Sequence, residues 1–176
     1  MVLARANPEP GQPPEILLLQ RHPSLVFFGG AWVFPGGRVD AIDWPTGKVT
    51  ASFAEKRLAA INGAVRETAE EANLVIDAEQ LNYIAHWVTP IGPPRRFDTW
   101  FFFCSYDGSV DKLAVDGEEI VAFQWLTAAD ALAKAKNKEI ELPPPTLHTL
   151  KQLKAFPALA DMLSWAAEQN PKPQAG

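Results

Sequence analysis

The sequence predicts an α/β or α+β fold in which a mixed sheet lies between helical layers. Three observations carry that expectation. Short apolar runs that read as strands stand on both sides of one long helical segment. Within that segment Leu58, Ile61, Val65, Thr68 and Ala72 recur at alternating steps of three and four, the stripe of an amphipathic helix. Further helical patterns follow the last strand, and no internal repeat is present.

Each element has a local reason. Met1 to Arg5 would supply a first strand. Glu15 to Arg21 carries Ile16, Leu17, Leu18 and Leu19 between Pro14 and Pro23, too short for a free-standing helix, so a buried strand is expected. Ala31 to Phe34 is a second short strand, enclosed by Gly29 and Gly30 on one side and Pro35, Gly36 and Gly37 on the other. The long helix starts near Phe53 and should stop at Asn73, because asparagine tolerates the left-handed conformation that ends many helices. The β-prone Leu74, Val75 and Ile76 follow. Leu81 to Val88, Thr99 to Tyr106 and Ile120 to Leu126 are rich in aromatic and β-branched residues and read as strands. Thr127 caps a helix running to about Lys136, with Asp130 three residues on. Thr146 is expected to cap a helix after Pro143 to Pro145, and Pro157 to open a last helix carrying Leu159, Met162, Leu163 and Ala166. Residues 1–169 are expected to form a single domain, and 170–176, from Asn170, a frayed tail.

Composition narrows function before any motif does. The chain has 176 residues, 47% hydrophobic and 21% charged, which suits a folded globular domain and not a disordered or fibrous one. A net charge of −5 and an isoelectric point near 5.2 speak against holding a nucleic-acid polymer or an anionic membrane by bulk electrostatics. A phosphate ligand would need a local source of positive charge. Cys104 is the single cysteine, so no internal disulfide and no cysteine zinc or iron–sulfur site can form. With no long apolar run either, the expectation is a soluble cytoplasmic protein.

The informative segment is Arg66-Glu67-Thr68-Ala69-Glu70-Glu71-Ala72-Asn73-Leu74. Glu67, Glu70 and Glu71 are spaced i, i+3, i+4, so on a helix they share one face and repel one another. A hard divalent cation, Mg2+ or Mn2+, is the simplest way to offset that repulsion, since carboxylate oxygens are its preferred ligands. A solvated acidic helix face has the same spacing. What separates the two is upstream: Phe34-Pro35-Gly36-Gly37-Arg38-Val39-Asp40 places a glycine loop ahead of the acidic helix.

Here the sequence resembles the Nudix hydrolase family, whose signature joins a glycine loop and an early glutamate to an Arg-Glu pair and a Glu-Glu pair. Thr68 stands at an apolar position of the signature and Asn73 at its second glycine. Counting from Gly37 puts Asp43 at the early acid, and an insertion of roughly 15 residues separates it from Arg66; Glu55 is the alternative. The insertion, together with Phe28 to Gly37, Trp87-Val88-Thr89-Pro90 and Pro94 to Thr99, is similar to the subgroup that includes the peroxisomal coenzyme A diphosphatases. The resemblance implies an α/β/α sandwich, a mixed sheet, and hydrolysis of a nucleoside diphosphate derivative by water attacking phosphorus. It carries over roles as well: Glu70 and Glu71 as the principal metal pair, Glu67 as ligand or base, Arg66 as the arginine that orients the first glutamate, and Gly36 and Gly37 as a loop whose backbone approaches the metal. A further acid is expected from Asp116 to Glu119, with Glu119 first.

Arg95 and Arg96 precede an aromatic strand and are the expected grip on substrate phosphate; a solvent-exposed loop pair is the alternative. Arg21 and His22 are read as structural, His86 and His148 as core or surface, Cys104 as a small core residue, and Trp32, Trp87 and Trp100 as core residues near enough to the site to stack on a base. Two functions are expected to compete: a metal-dependent diphosphatase, and a binding or sensor module that keeps the fold without turnover. Coenzyme A, ADP-ribose, NADH and nucleoside triphosphates all remain open as ligands.

Overall fold

The structure is a computed structural model and describes residues 1–45, 52–88, 97–108, 112–169 and 174–175. Among the described residues seven strands form one sheet: β1 (Val2–Arg5), β2 (Glu15–Arg21), β3 (Trp32–Val33), β4 (Asn82–Val88), β5 (Asp98–Ser105), β6 (Ile120–Thr127) and β7 (Gln174–Ala175). The order along the sheet is β3-β2-β1-β5-β4-β7, and β6 lies along β2. β2 pairs with β6 over its full length; β1 pairs with its start and β3 with its end. The β1–β5 and β4–β7 pairs are parallel and the others antiparallel, so the sheet is mixed. Four helices are described: α1 (Phe53–Ala72), α2 (Ala128–Lys136), α3 (Pro144–Leu153) and α4 (Leu159–Ala167).

The period-two alternation of the strands divides the core in two. Val2, Ala4, Ile16, Leu18, Phe101 and Phe103 face Ala131, Leu150, Leu153 and Met162 of α2, α3 and α4. Leu3, Leu17, Leu19, Phe102 and Cys104 face the opposite way and pack with Ala60 and Ala72 of α1. The α/β/α layering expected from the sequence is therefore present. Full burial of a Leu or Phe contributes about 1.5–3 kcal/mol, and this alternation places such residues in both layers.

Several local expectations are corrected. Helix α3 begins at Pro144 with Pro143 as its cap, and Thr146 lies inside it, buried. Proline's fixed φ and missing N–H suit the first helical turn, so the triplet starts the helix instead of preceding it. The last helix starts at Leu159 behind Ala158, two residues after Pro157. Leu74 and Ile76 are buried and Val75 is exposed, an alternation without a strand, since among the described residues no neighbouring backbone ladders with them. Gln174–Ala175 pair with Trp87 and Val88, so at these two positions the expected frayed tail is a strand.

Candidate active site

Helix α1 is set at both ends by its own sequence. The Ser52 hydroxyl accepts from the Glu55 N–H at 3.3 Å, and the Glu55 carboxylate accepts from the Ser52 N–H at 2.9 Å, a capping box. At the other end Asn73 adopts the left-handed conformation (φ 54°), and its side-chain amide donates to the Lys112 carbonyl at 2.8 Å. Thr68 fills an apolar position of the signature because its hydroxyl donates to the Ala64 carbonyl at 2.7 Å, so the buried oxygen is satisfied within the helix.

The last turns of α1 meet the loop that follows β3. Arg66 is the centre of the meeting. Its Nε donates to Asp43 Oδ1 at 3.1 Å and its Nη2 to Asp43 Oδ2 at 3.0 Å, the two-pronged pairing that a planar guanidinium favours. Its Nη1 donates to both Glu67 and Glu70 at 2.9 Å, and Nη2 also donates to the Arg38 carbonyl at 2.8 Å. Asp43 is only 3% exposed and accepts a further bond from the Asp40 N–H at 2.7 Å. Burial alone would raise its carboxyl. The hydrogen bonds from Arg66 and Asp40 outweigh burial and hold it below the usual carboxylate range.

The other acids differ in environment. Glu71 is 4% exposed and accepts from the Gly36 N–H at 2.8 Å. Burial pushes its carboxyl up to about 7, the nearby charge of Glu67 adding to the effect against the Gly36 hydrogen bond. Glu67 is raised as well, chiefly by burial, with Arg66 opposing. Glu70 points outward and is 59% exposed. Gly37 closes the site from the loop side: a Cβ there would overlap the Glu67 carboxylate, so only glycine lets the backbone come this near.

These contacts distinguish Asp43 from Glu55. Glu55 sits three helical turns before Glu67 and is used by the cap, whereas Asp43 is joined to Arg66. Residues that the sequence reading passed over complete the clamp. The Asn62 amide donates to the Asp43 carbonyl at 2.8 Å, and Gly63 leaves room for the Asp43 carboxylate, which lies 3.1 Å from where a Cβ would be. A glycine in the middle of an otherwise good helix was the available signal.

The remaining expected residues fall elsewhere. Glu119 is exposed just before β6, and its carbonyl accepts from the His22 N–H at 2.7 Å. Arg95 and Arg96 lie outside the described residues. Arg21 donates to the Phe27 carbonyl at 3.3 Å, and its charge also acts on Glu71. His86 is buried and pairs with Asp98, and its ring lies 4.4 Å from that of Trp100, which stacks on Tyr83 at 5.0 Å. His148 meets Trp87 edge to face at 5.2 Å.

The donor set can be tested against a cation. Glu67, Glu70 and Glu71 offer only hard oxygens, and two of the three carry the cost of burial beside a like charge, which a divalent cation would relieve. Among the described residues no three side chains of His, Cys, Asp or Glu converge as a preformed cage. The reason is visible: Arg66 Nη1 holds Glu67 and Glu70, and the Gly36 N–H holds Glu71. The residues fit a cation that takes carboxylate oxygens from the arginine.

A family model described as the NUDIX domain matches residues 2–146. The chain belongs to the NUDIX family. Among curated proteins it is 31% identical over 99 residues to the acyl-coenzyme A diphosphatase NUDT19 of Gallus gallus, covering 54% of this chain and 26% of that protein. It is 37% identical over 78 residues to the NUDT19 of Homo sapiens, covering 43% and 20%. The matches thus span about a quarter of the length of these relatives or less. Among solved structures, a NUDIX hydrolase from Alicyclobacillus acidocaldarius superposes with a TM-score of 0.75 at 25% identity, covering 92% of this chain and 93% of that one. The NUDIX domain of Shewanella oneidensis NrtR, solved with ADP ribose, shares the fold, with a TM-score of 0.59 at 19% identity over 88% of this chain and 82% of that one.

Proposed function

We propose that this NUDIX chain hydrolyses a diphosphate bond in a nucleoside diphosphate derivative, with Mg2+ or Mn2+ as its cofactor. The observation that carries the reading is the meeting of Glu67 and Glu71 with the Gly36–Gly37 backbone, with Glu67 and Glu70 both held by Arg66. Glu70 and Glu71 are the metal-holding pair, Glu67 is ligand or base, and Gly36 and Gly37 approach from the loop. When bound, a divalent cation neutralises charge on phosphoryl oxygens and lowers the pKa of coordinated water.

The residues of the chain supply the rest. Asp43 fixes the guanidinium of Arg66, and Arg66 fixes the orientation of Glu67. Glu67, desolvated and with a raised pKa, is suited to accept a proton from the attacking water. Gly36 steers the Glu71 carboxylate through its N–H. Arg95 and Arg96 remain the proposed grip on substrate phosphate, and Glu119 a further acid recruited by substrate or metal. Coenzyme A or an acyl derivative is the favoured substrate class, supported by the NUDT19 similarity. A reducing, cytoplasmic setting is proposed from the lone, buried Cys104; among the described residues no helix is long and apolar enough to cross a membrane.

The test is incubation of the purified chain with Mg2+ and a panel of acyl-coenzyme A, coenzyme A, ADP-ribose, NADH and nucleoside triphosphates, in 18O-labelled water. Product masses then report which phosphorus receives the oxygen. Absence of hydrolysis across the panel rejects the reading, and tight binding without turnover assigns the binding-module role instead.

A further inference from the structure

Lysine is clustered in the segment that packs on the face of the sheet opposite α1. The chain has nine lysines, and five of them, Lys134, Lys136, Lys138, Lys151 and Lys154, fall between Ala128 and Ala155, a stretch with only three acids. A cavity of about 870 Å3 opens there between α2, α3 and β3, within the size range of small-molecule sites. Lys136, Lys138, Lys151 and Lys154 line it together with Glu139 and Glu141, four cations against two acids. Its apolar wall includes Trp32, Ile140 and Leu142, which pack on the core layer of α2 to α4.

The charges around this cavity are not balanced. Lys134 pairs with Glu139 at 3.4 Å, and Asn137 donates to the same carboxylate group at 3.2 Å, so Glu139 is already engaged. Among the described residues the four cavity lysines form no ion pair. Ammonium groups gathered on one concavity repel one another, and an anion seated among them reverses the sign of that energy. Because the site is concave and floored by apolar side chains, it suits a compact ligand with a flat apolar body better than an extended polyanion.

We propose that this cavity binds a small organic phosphate of the nucleoside-phosphate kind, its phosphate groups held by the lysines and its body against Trp32, Ile140 and Leu142. The ligand is a molecule separate from any substrate at α1, because α1 and the cavity lie on opposite faces of the sheet. The binding itself does not depend on the hydrolytic reading.

The probe is adenosine 3′,5′-bisphosphate, titrated into the full chain by calorimetry, with adenosine alone as the uncharged control. The bisphosphate should bind more tightly than adenosine, and Lys151→Gln with Lys154→Gln should weaken it at least about tenfold, the loss expected for charge-assisted contacts. Lys56→Gln with Lys112→Gln changes net charge equally, away from the cavity, and should leave affinity unchanged. Lys136→Gln carries the same test should the first pair fail to fold. No binding by the wild-type chain, or equal weakening in both double variants, overturns the proposal. Steady-state kinetics with the best diphosphate substrate then check that the site is separate. A raised KM with unchanged kcat on adding the bisphosphate would place it at the α1 site and overturn the proposal, whereas rates without competition support it. If the chain proves to hydrolyse nothing, the calorimetric result still decides the proposal.

Discussion

At the scale of single residues, the three glutamates of α1 are held in three different ways, and their substitutions should separate accordingly. Glu71 is buried against the Gly36 N–H, and Glu71→Gln keeps an accepting oxygen there while removing charge. Glu70 is mostly exposed, so Glu70→Gln should leave the fold intact. Each is expected to lower turnover by about a hundredfold or more, since losing a ligand charge removes several kcal/mol of stabilisation from the transition state. Near-normal steady-state rates in both would reject the assignment. Glu67→Gln should be equally impaired; recovery at high Mn2+ would mark Glu67 as a ligand, and no recovery would mark it as the base. Gly37→Ala probes the same carboxylate from the loop, because its Cβ must displace Glu67 from Arg66. The expected result is a large loss of kcat with a small change in melting temperature.

Asp43 calls for a different measurement. Asp43→Asn removes the charge that anchors Arg66, and a buried acid parted from its arginine typically costs 3–5 kcal/mol, less here because the Arg66 side chain is 22% exposed; about 2 kcal/mol is expected. Its folded-state pKa is depressed, so its contribution is fully present above its ordinary value and lost as pH falls through the lower folded value. Urea midpoints of wild type and variant should therefore differ clearly at pH 7 and converge as pH drops below the ordinary carboxylate range. A gap that widens on acidification would contradict the pairing.

At the scale of elements, α1 is where local preference and tertiary demand disagree. Gly63 costs the helix roughly 1 kcal/mol relative to alanine, yet it admits Asp43. Since Asp43 is pinned by Arg66 and by the Asp40 N–H, it cannot easily give way, and Gly63→Ala should lower the melting temperature despite its better helix propensity. A higher melting temperature would show that the loop yields. The other end of α1 obeys its local code: Asn73→Ala should cost about 1–2 kcal/mol through its left-handed φ, while Asn73→Gly should cost less, losing only the bond to the Lys112 carbonyl.

At the scale of the whole molecule, α1 with its acids and the lysine cavity lie on opposite faces of one sheet, and a cation that binds only the folded chain must stabilise it. Mn2+ should raise the melting temperature of the wild type and not of a variant combining Glu70→Gln and Glu71→Gln, and chelation should reverse the rise. An equal rise in both would place the cation elsewhere.

The sequence by itself determined what is periodic or adjacent. Strand alternation, the three-and-four stripe of α1, its Asn73 end and the shared face of Glu67, Glu70 and Glu71 all depend on neighbours within a few residues, where backbone geometry dictates which side chains meet. The tertiary structure decided what depends on closing long loops. It set Asp43, and not Glu55, against Arg66, a contact across 23 residues of sequence that no local pattern reveals. It left Leu74 to Ile76 without a strand to pair with and started α3 within its prolines. It also gathered Lys136 and Lys138 with Lys151 and Lys154, which are ordinary surface lysines until the packing of α2 against α3 puts them around one cavity.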